Sequence, residues 1–424
     1  MRRVPERAVS RWCPSAACSL TLLRLSFRMS ASPGRGWEPG PFRAARALAG
    51  RNELKKQEEE IREVASAFLT EGRFARGERV LEGHINDTYR LYYETGGKTR
   101  RYILQRINRN VFCEPRKVMD NIIRVTSFAR RKIEEAGGDP SRETLNLVPT
   151  RDRGMYVTDS DGETWRLYHC IEGARTYETP ESPAQVFSAA RTFARFQKML
   201  EGLPGGRLHE TIPGFHDTRR RFEALQAAIR SDPLKRAAGV REEIAFALER
   251  ENGVDRILEG MAAGRIPERV THNDTKLNNV MFDLRTGEGV CVIDLDTIMP
   301  GSALYDFGES VRIGTSLAAE DERDLSRVGF SLPLFEGVAA GYLEAASDFL
   351  TEAEVELLPF SARLMAYENG IRFLTDHLNG DVYFRIHRPG QNLDRCRTQF
   401  KMALEMERSL PLMEAVVRKY ARRK

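Results

Sequence analysis

The apolar positions of this 424-residue chain change character part-way along. Leu54, Ile61, Val64, Ala65 and Phe68 form an apolar stripe that predicts a helix over residues 52–69. Three strand-like runs follow: Glu78 to Leu81, Thr88 to Glu94 and Arg101 to Ile107, with Gly96-Gly97-Lys98 turning between the last two. Pro115 opens a helix to about Ala136, with Val118, Ile122, Val125 and Ala129 on one face. Met155 to Val157 and Trp165 to Cys170 read as further strands. Beyond Pro183 the pattern is helical: Gln185 to Leu200, Asp217 to Arg230, Arg241 to Ala263, Leu317 to Leu325, Ala353 to Thr375 and Gln391 to Arg423. One hairpin interrupts these helices. Val280-Met281-Phe282 and Val290 to Ile293 flank the turn residues Arg285 to Gly289. The expectation is an α+β chain of two lobes. Residues 52–171 make a small, mainly antiparallel β lobe, and residues 172–424 a larger helical one.

Charge narrows the function classes. The net charge of +5 resides in the first 36 residues, which hold seven Arg and one Glu, so the remaining chain stands at −1. Such a body has no basic excess for nucleic acid or an anionic membrane. Residues 1–51 are expected to form a disordered leader outside the fold. The Arg- and Ser-rich composition of residues 1–36 also suits a transit peptide for organelle import, or a gene start that properly begins at Met29. Six Cys without a C-x-x-C pair fit a reducing compartment, so the cytoplasm is the expected location. No 18-residue apolar run predicts a membrane span. Oligomeric state is not encoded in any of these patterns.

The chemistry concentrates in Thr271-His272-Asn273-Asp274-Thr275-Lys276-Leu277-Asn278-Asn279 and in Val292-Ile293-Asp294-Leu295-Asp296. A carboxylate is followed by an amide and then a second carboxylate. The spacing H-x-D-x-x-x-x-N matches the catalytic loop of kinases. In that arrangement Asp274 orients the attacking hydroxyl and takes its proton, while Asn279 and Asp294 ligate Mg²⁺ against the phosphates of ATP. His272 braces the loop, and Lys276 reaches the transferring phosphoryl group. The competing reading is a solvated acidic loop beside a hairpin; five matched positions in order disfavour it. The order of strands and helix up to residue 171 is that of a kinase small lobe, so the fold is expected to be protein-kinase-like.

A nucleotide site should then lie between the lobes. The loop Leu81 to Tyr89 joins the first two strands, and Gly83, Asn86 and Thr88 are placed to meet phosphate oxygens. The third strand lacks the V-A-I-K lysine, and Arg106 is the candidate cation there. His169 and Ile171 bracket a hinge whose backbone can bind adenine. Asp306-Phe307-Gly308 spells D-F-G but falls beyond the hairpin, so Asp306 is expected to cap a helix or brace the catalytic loop.

H-N-D-T-K-L-N-N-V-M-F-D (272–283) with V-I-D-L-D-T (292–297) resembles the aminoglycoside phosphotransferase and choline kinase superfamily. Within it, G-H-I-N-D-T-Y (83–89), Y-I-L-Q-R-I-N (102–108), D-F-G-E-S-V-R (306–312) and F-L-T-D-H-L-N-G-D-V-Y-F (373–384) resemble the N-acetylhexosamine 1-kinases. The resemblance covers residues 52–410. It implies ATP-dependent phosphorylation of the anomeric hydroxyl of an N-acetylhexosamine, with Asp274 as base and Asn279 and Asp294 as metal ligands. It also implies that His84, Arg372 and Tyr383 line the sugar pocket. Asn273 departs from the pattern, where Gly is common. Two alternatives compete: a kinase for homoserine, choline or an aminoglycoside, and a non-catalytic pseudokinase acting as a binding module. Ala366 to Arg388 balances Glu368, Asp376 and Asp381 against Arg372, Arg385 and Arg388, which is no trap for a cationic substrate. The chain also keeps both base and metal positions, which a pseudokinase would be expected to lack.

Overall fold

A computed structural model describes residues 58–80 and 85–421. The leader, Gly83 and His84 lie outside them. A helix over 58–66 (α1) precedes β1 (Arg73–Val80), β2 (Asp87–Thr95) and β3 (Lys98–Arg106). Then come α2 (Pro115–Glu135), α3 (Pro140–Glu143), β4 (Val157–Thr158), β5 (Thr164–His169) and β6 (Ala174–Arg175). The helical part contains α4 (Pro183–Met199), α5 (Thr218–Ser231), α6 (Arg241–Leu248) and α7 (Arg256–Ala262). After it come β7 (Arg269–Thr271), β8 (Val280–Asp283), β9 (Gly289–Val292) and β10 (Met299–Gly301). The chain closes with α8 (Ala303–Gly314), α9 (Leu332–Ala346), α10 (Glu352–Asn379) and α11 (Gln391–Ala421).

The small lobe is an antiparallel sheet in the order β1-β2-β3-β5-β4. Gly96 (φ 54°) and Gly97 (φ 77°) form the two-residue β2–β3 turn, where positive φ at both positions suits the right-handed twist of the strands. Tyr89, Leu91, Tyr102, Leu104, Trp165 and Leu167 pack on one face against Ile61, Ala65 and Phe68 of the N-terminal segment. A second apolar cluster joins α2 to the β8–β9 hairpin, and a third fills the helical lobe. This is the expected α+β, two-lobed, kinase-like fold. Among the described residues no helix is long and apolar enough to cross a membrane.

Three helices escaped the sequence reading, the short α3 and the longer α8 and α9, and one predicted helix is absent. Leu317 to Leu325 forms turns and bends. The helices instead flank it, as α8 and α9. Pro333 sits in the first turn of α9, where no intrahelical N–H bond is required. The span Arg241 to Ala263 is divided into α6 and α7 by a short turn at Glu251–Gly253.

The glycines of α9 serve contact with α4. A Cβ built at Gly341 would lie 2.1 Å from the carbonyl oxygen of Phe187, and one at Gly337 2.6 Å from that of Pro183. Gly→Ala within a helix ordinarily stabilises by ~0.5–1 kcal/mol. At Gly341 the backbone contact reverses the sign, and overpacking should cost ~1–3 kcal/mol. We expect Gly341→Ala to lower the Tm; an equal or higher Tm would contradict this close packing.

Candidate active site

The catalytic-loop residues are assembled by two short ladders. Thr271 at the end of β7 pairs with Met299 of β10, and Val280 of β8 pairs with Val292 of β9. The Ile293 amide donates to the Asn279 carbonyl at 2.9 Å, which sets Asp294 beside Asn279. Two residues adopt left-handed backbone to turn here, Asn273 (φ 65°) and Asp294 (φ 57°). Asn tolerates this region better than most residues, and the Asn273 side chain secures it. Its amide donates to the carbonyls of Thr271 (3.0 Å) and Thr297 (2.9 Å). The departure from Gly therefore preserves a positive φ.

Asp306, in the first turn of α8, is buried and accepts from the backbone amides of His272 (2.9 Å) and Asn273 (2.7 Å). Gln197 also donates to it. Thr275 donates to the Asp306 carbonyl. This is the bracing position that the D-F-G decoy suggested. His272 accepts from the Asp274 amide through Nδ1 (3.2 Å), while Nε2 meets the Ile293 carbonyl (2.9 Å). A carbonyl can only accept, so the proton sits on Nε2 and the ring is neutral. His272 is thus occupied in holding the loop.

Lys276 and Asn279 converge on Asp274. The Lys276 ammonium lies 2.8 Å from Oδ1, and Asn279 Nδ2 donates to the Asp274 carbonyl (2.8 Å) and to Oδ2 (3.2 Å). Burial disfavours the Asp274 carboxylate, but Lys276 outweighs it and holds the carboxyl below its usual range. Asp294 has no such cation at hand. Burial, reinforced by Asp296 and Asp274, pushes it up to about 6. The Asn279 amide nitrogen is spent on Asp274, which leaves Oδ1 as an acceptor. An ionised carboxylate beside an ammonium can take a proton from a hydroxyl, and the oxygen donors of Asn279 and Asp294 suit a hard cation.

Arg106 is placed differently from the expectation. Side chains alternate along β3, and Arg106 lies on the face opposite Gln105. Its guanidinium pairs with Asp87 and stands 5.4 Å from the Trp165 ring. The cation on the Gln105 face is Arg166 of β5, which is 1% exposed. Arg166 donates to Gln105 Oε1 through Nε (3.0 Å) and Nη2 (2.9 Å), and pairs with Asp296. Gln105 in turn donates to Thr88 (3.1 Å). Asn86 donates to the other Asp296 oxygen (2.5 Å) and accepts from the Asn108 amide (3.0 Å). The segment after β9 is thereby tied to three strands of the small lobe. Sequence reading missed Arg166, although an Arg inside T-W-R-L-Y-H, a strand buried on both faces, was a signal.

His169 ends β5 with its amide engaged by the Asn146 carbonyl (2.9 Å), and Ile171 is buried in the α2–hairpin cluster. Arg372 and Tyr383 share Phe384: the guanidinium is 5.4 Å from its ring, and the Tyr383 ring meets it edge-on at 4.7 Å. A relay links α10 to the catalytic loop, since His216 joins Glu368 (2.9 Å) to the Asn273 carbonyl (3.1 Å).

The Arg166–Asp296 pair yields a stability test. Removing one partner of a buried pair strands the other charge, at about 3–5 kcal/mol, whereas an apolar replacement of both is often neutral. We expect Arg166→Met to lower stability on that scale in urea unfolding, and Arg166→Met/Asp296→Leu to recover most of the loss. No recovery in the double variant would contradict the pairing as the main role.

The profile of the phosphotransferase enzyme family (APH) matches residues 76–340. Among solved structures, an aminoglycoside phosphotransferase from Alicyclobacillus acidocaldarius is similar with a TM-score of 0.51 and 16% identity, covering 84% of this chain and 96% of that one. The AMP-bound spectinomycin phosphotransferase is also similar, with a TM-score of 0.51 and 10% identity over 82% and 97% of the two chains. At these identities the likeness speaks for the fold, while the family match spans more than half of the sequence. This chain belongs to the APH family of phosphotransferase enzymes.

Proposed function

We propose that this protein transfers the γ-phosphoryl group of ATP to the anomeric hydroxyl of an N-acetylhexosamine. The observation that carries the reading is the Asp274 carboxylate, held ionised between Lys276 and Asn279 on a loop whose backbone is fixed from both sides. Asp274 takes the proton of the attacking hydroxyl, and Lys276 turns from Asp274 to the charge that develops on the phosphoryl group. Asn279 and Asp294 would hold Mg²⁺, which would supply positive charge to offset that of the phosphates. Residues 52–171 form the nucleotide lobe and residues 172–424 the catalytic and substrate lobe. Gly83, Asn86 and Thr88 attend the phosphates, and the backbone of His169 and Ile171 attends the base. Arg106, which pairs with Asp87 and is the more exposed of the two arginines, is the cation candidate on β3, while Arg166 is held by Asp296.

The sugar assignment rests on the motif resemblance and on the state of the nearby acids. Glu368 is engaged by His216 and Thr218, and Asp376 accepts the amides of Val382, Tyr383 and Phe384. Asp381 pairs with Arg236. None of the three is left to receive a cationic substrate, which disfavours a choline-type acceptor. His84, Arg372 and Tyr383 would contact ring hydroxyls or the N-acetyl group. The four described cysteines are free, in keeping with a cytoplasmic enzyme.

Asp274→Asn should lower kcat by at least ~10²-fold while nucleotide binding is kept. With ATP and Mg²⁺, an N-acetylhexosamine should be phosphorylated and its methyl glycoside, blocked at the anomeric oxygen, should not. Turnover of the glycoside, or preference for choline or homoserine over every hexosamine, would overturn the substrate assignment. Near-normal turnover by Asp274→Asn would remove the base.

A further inference from the structure

Among the described residues the two fully buried arginines are paired, Arg166 with Asp296 and Arg312 with Glu309, whereas Arg221 is only partly buried. Arg221, in the first turn of α5, makes no ion pair. Its Nη2 donates to the Phe215 carbonyl (3.0 Å), and its Nε is buried without any hydrogen-bond partner. A second guanidinium adjoins it. Arg372 stands 5.4 Å from the Phe215 ring, so both arginines gather on the same residue. Among the described residues, the side chain of Arg372 makes one hydrogen bond, a long one to Asn369 (3.3 Å). The neighbouring carboxylate, Glu368, is already engaged by His216 and Thr218.

This arrangement is unfavourable in the free protein. A buried charge is ordinarily paired, and two like charges repel. Burial, and then Arg372, push the Arg221 guanidinium below its usual value. A cation in the first turn of a helix also opposes the helix dipole. What the set lacks is an anion. Two guanidinium forks present planar donors that match a carboxylate, sulfate or phosphate ester. Phe215, Phe384 and Tyr383 supply apolar surface beside them, and Tyr383 is 55% exposed, so the cluster opens to solvent.

We propose that Arg221 and Arg372 form an anion-binding subsite for an acidic substituent on the acceptor. The acceptor class then becomes a hexosamine carrying a carboxylate, sulfate or phosphate ester; this rests on the sugar-kinase reading above. The cation in contact with Asp274 is Lys276, whereas the arginine pair connects to the loop through Glu368, His216 and the Asn273 carbonyl.

The test compares kcat/KM of the full-length protein for N-acetylglucosamine and N-acetylgalactosamine with that for their 6-sulfates and 6-phosphates, and for the corresponding uronic acids. At least one acidic derivative should exceed its neutral parent by about ten-fold or more, and that ratio should fall by about ten-fold in Arg221→Gln and return in part in Arg221→Lys. These magnitudes follow the usual worth of a hydrogen bond to a charged group. Arg221→Gln should also raise the Tm in the absence of substrate, because it removes an unpaired, partly buried charge that serves binding alone. Sulfate should raise the Tm of the wild-type protein more than that of Arg221→Gln; this difference is the readout if no sugar is turned over. If neutral hexosamines are phosphorylated as well as every acidic derivative, the anion subsite is wrong and the kinase reading stands. If no sugar of either kind reacts but the sulfate difference persists, the sugar reading fails and the subsite stands. Equal sulfate shifts, or a lower Tm in Arg221→Gln, would overturn the subsite by making Arg221 a structural residue.

Discussion

The carboxylate of Asp306 is the interaction on which the catalytic loop depends. Two consecutive backbone amides, of His272 and Asn273, converge on one buried acid. Consecutive amides can meet one carboxylate only if the backbone turns sharply, and Asn273 does so with a positive φ. That turn delivers Asp274 outward from a strand end that is itself buried. Burial raises the pKa of Asp306 above the usual carboxylate value, and His272, the two amides and Gln197 only partly oppose it. The loop therefore stays in place because a charge needs its donors, and α8 carries that charge at its first turn.

A second buried acid performs a similar task between the lobes. Asp296 receives Arg166 from β5 and Asn86 from the segment before β2. Asp294, two residues earlier, belongs to the same turn and has no cation of its own at contact distance. The two acids thus divide the work, one fastening the turn to the small lobe and the other leaving its oxygens for a ligand. On β3, Gln105 orients the Arg166 guanidinium through two hydrogen bonds.

Much of this could be read along the chain because it is local. The loop 271–279 and the hairpin after it are contiguous, so their spacing alone fixed the relation of Asp274, Asn279 and Asp294. The β2–β3 turn was legible from two adjacent glycines. What failed was non-local. α9 was not predicted, and the α4 backbone that its Gly337 and Gly341 accommodate lies about 150 residues earlier, at Pro183 and Phe187. Alternation set Arg106 opposite Gln105, but its partner Asp87 lies on the neighbouring strand and was not legible. Arg166 was missed because its partner is 130 residues away, and Arg221 because the absence of a partner leaves no trace in a sequence.

The central claim is that Asp306 acts on chemistry only through the loop that presents Asp274. A double-mutant cycle on kcat tests it, using Asp306→Asn, Asp274→Asn and the two together. Asp306→Asn alone should lower kcat substantially, since an amide can no longer accept from both loop N–H groups. In the Asp274→Asn background the same change should add little. If the two losses instead multiply in the double variant, Asp306 contributes independently of Asp274, and the account of the site is wrong.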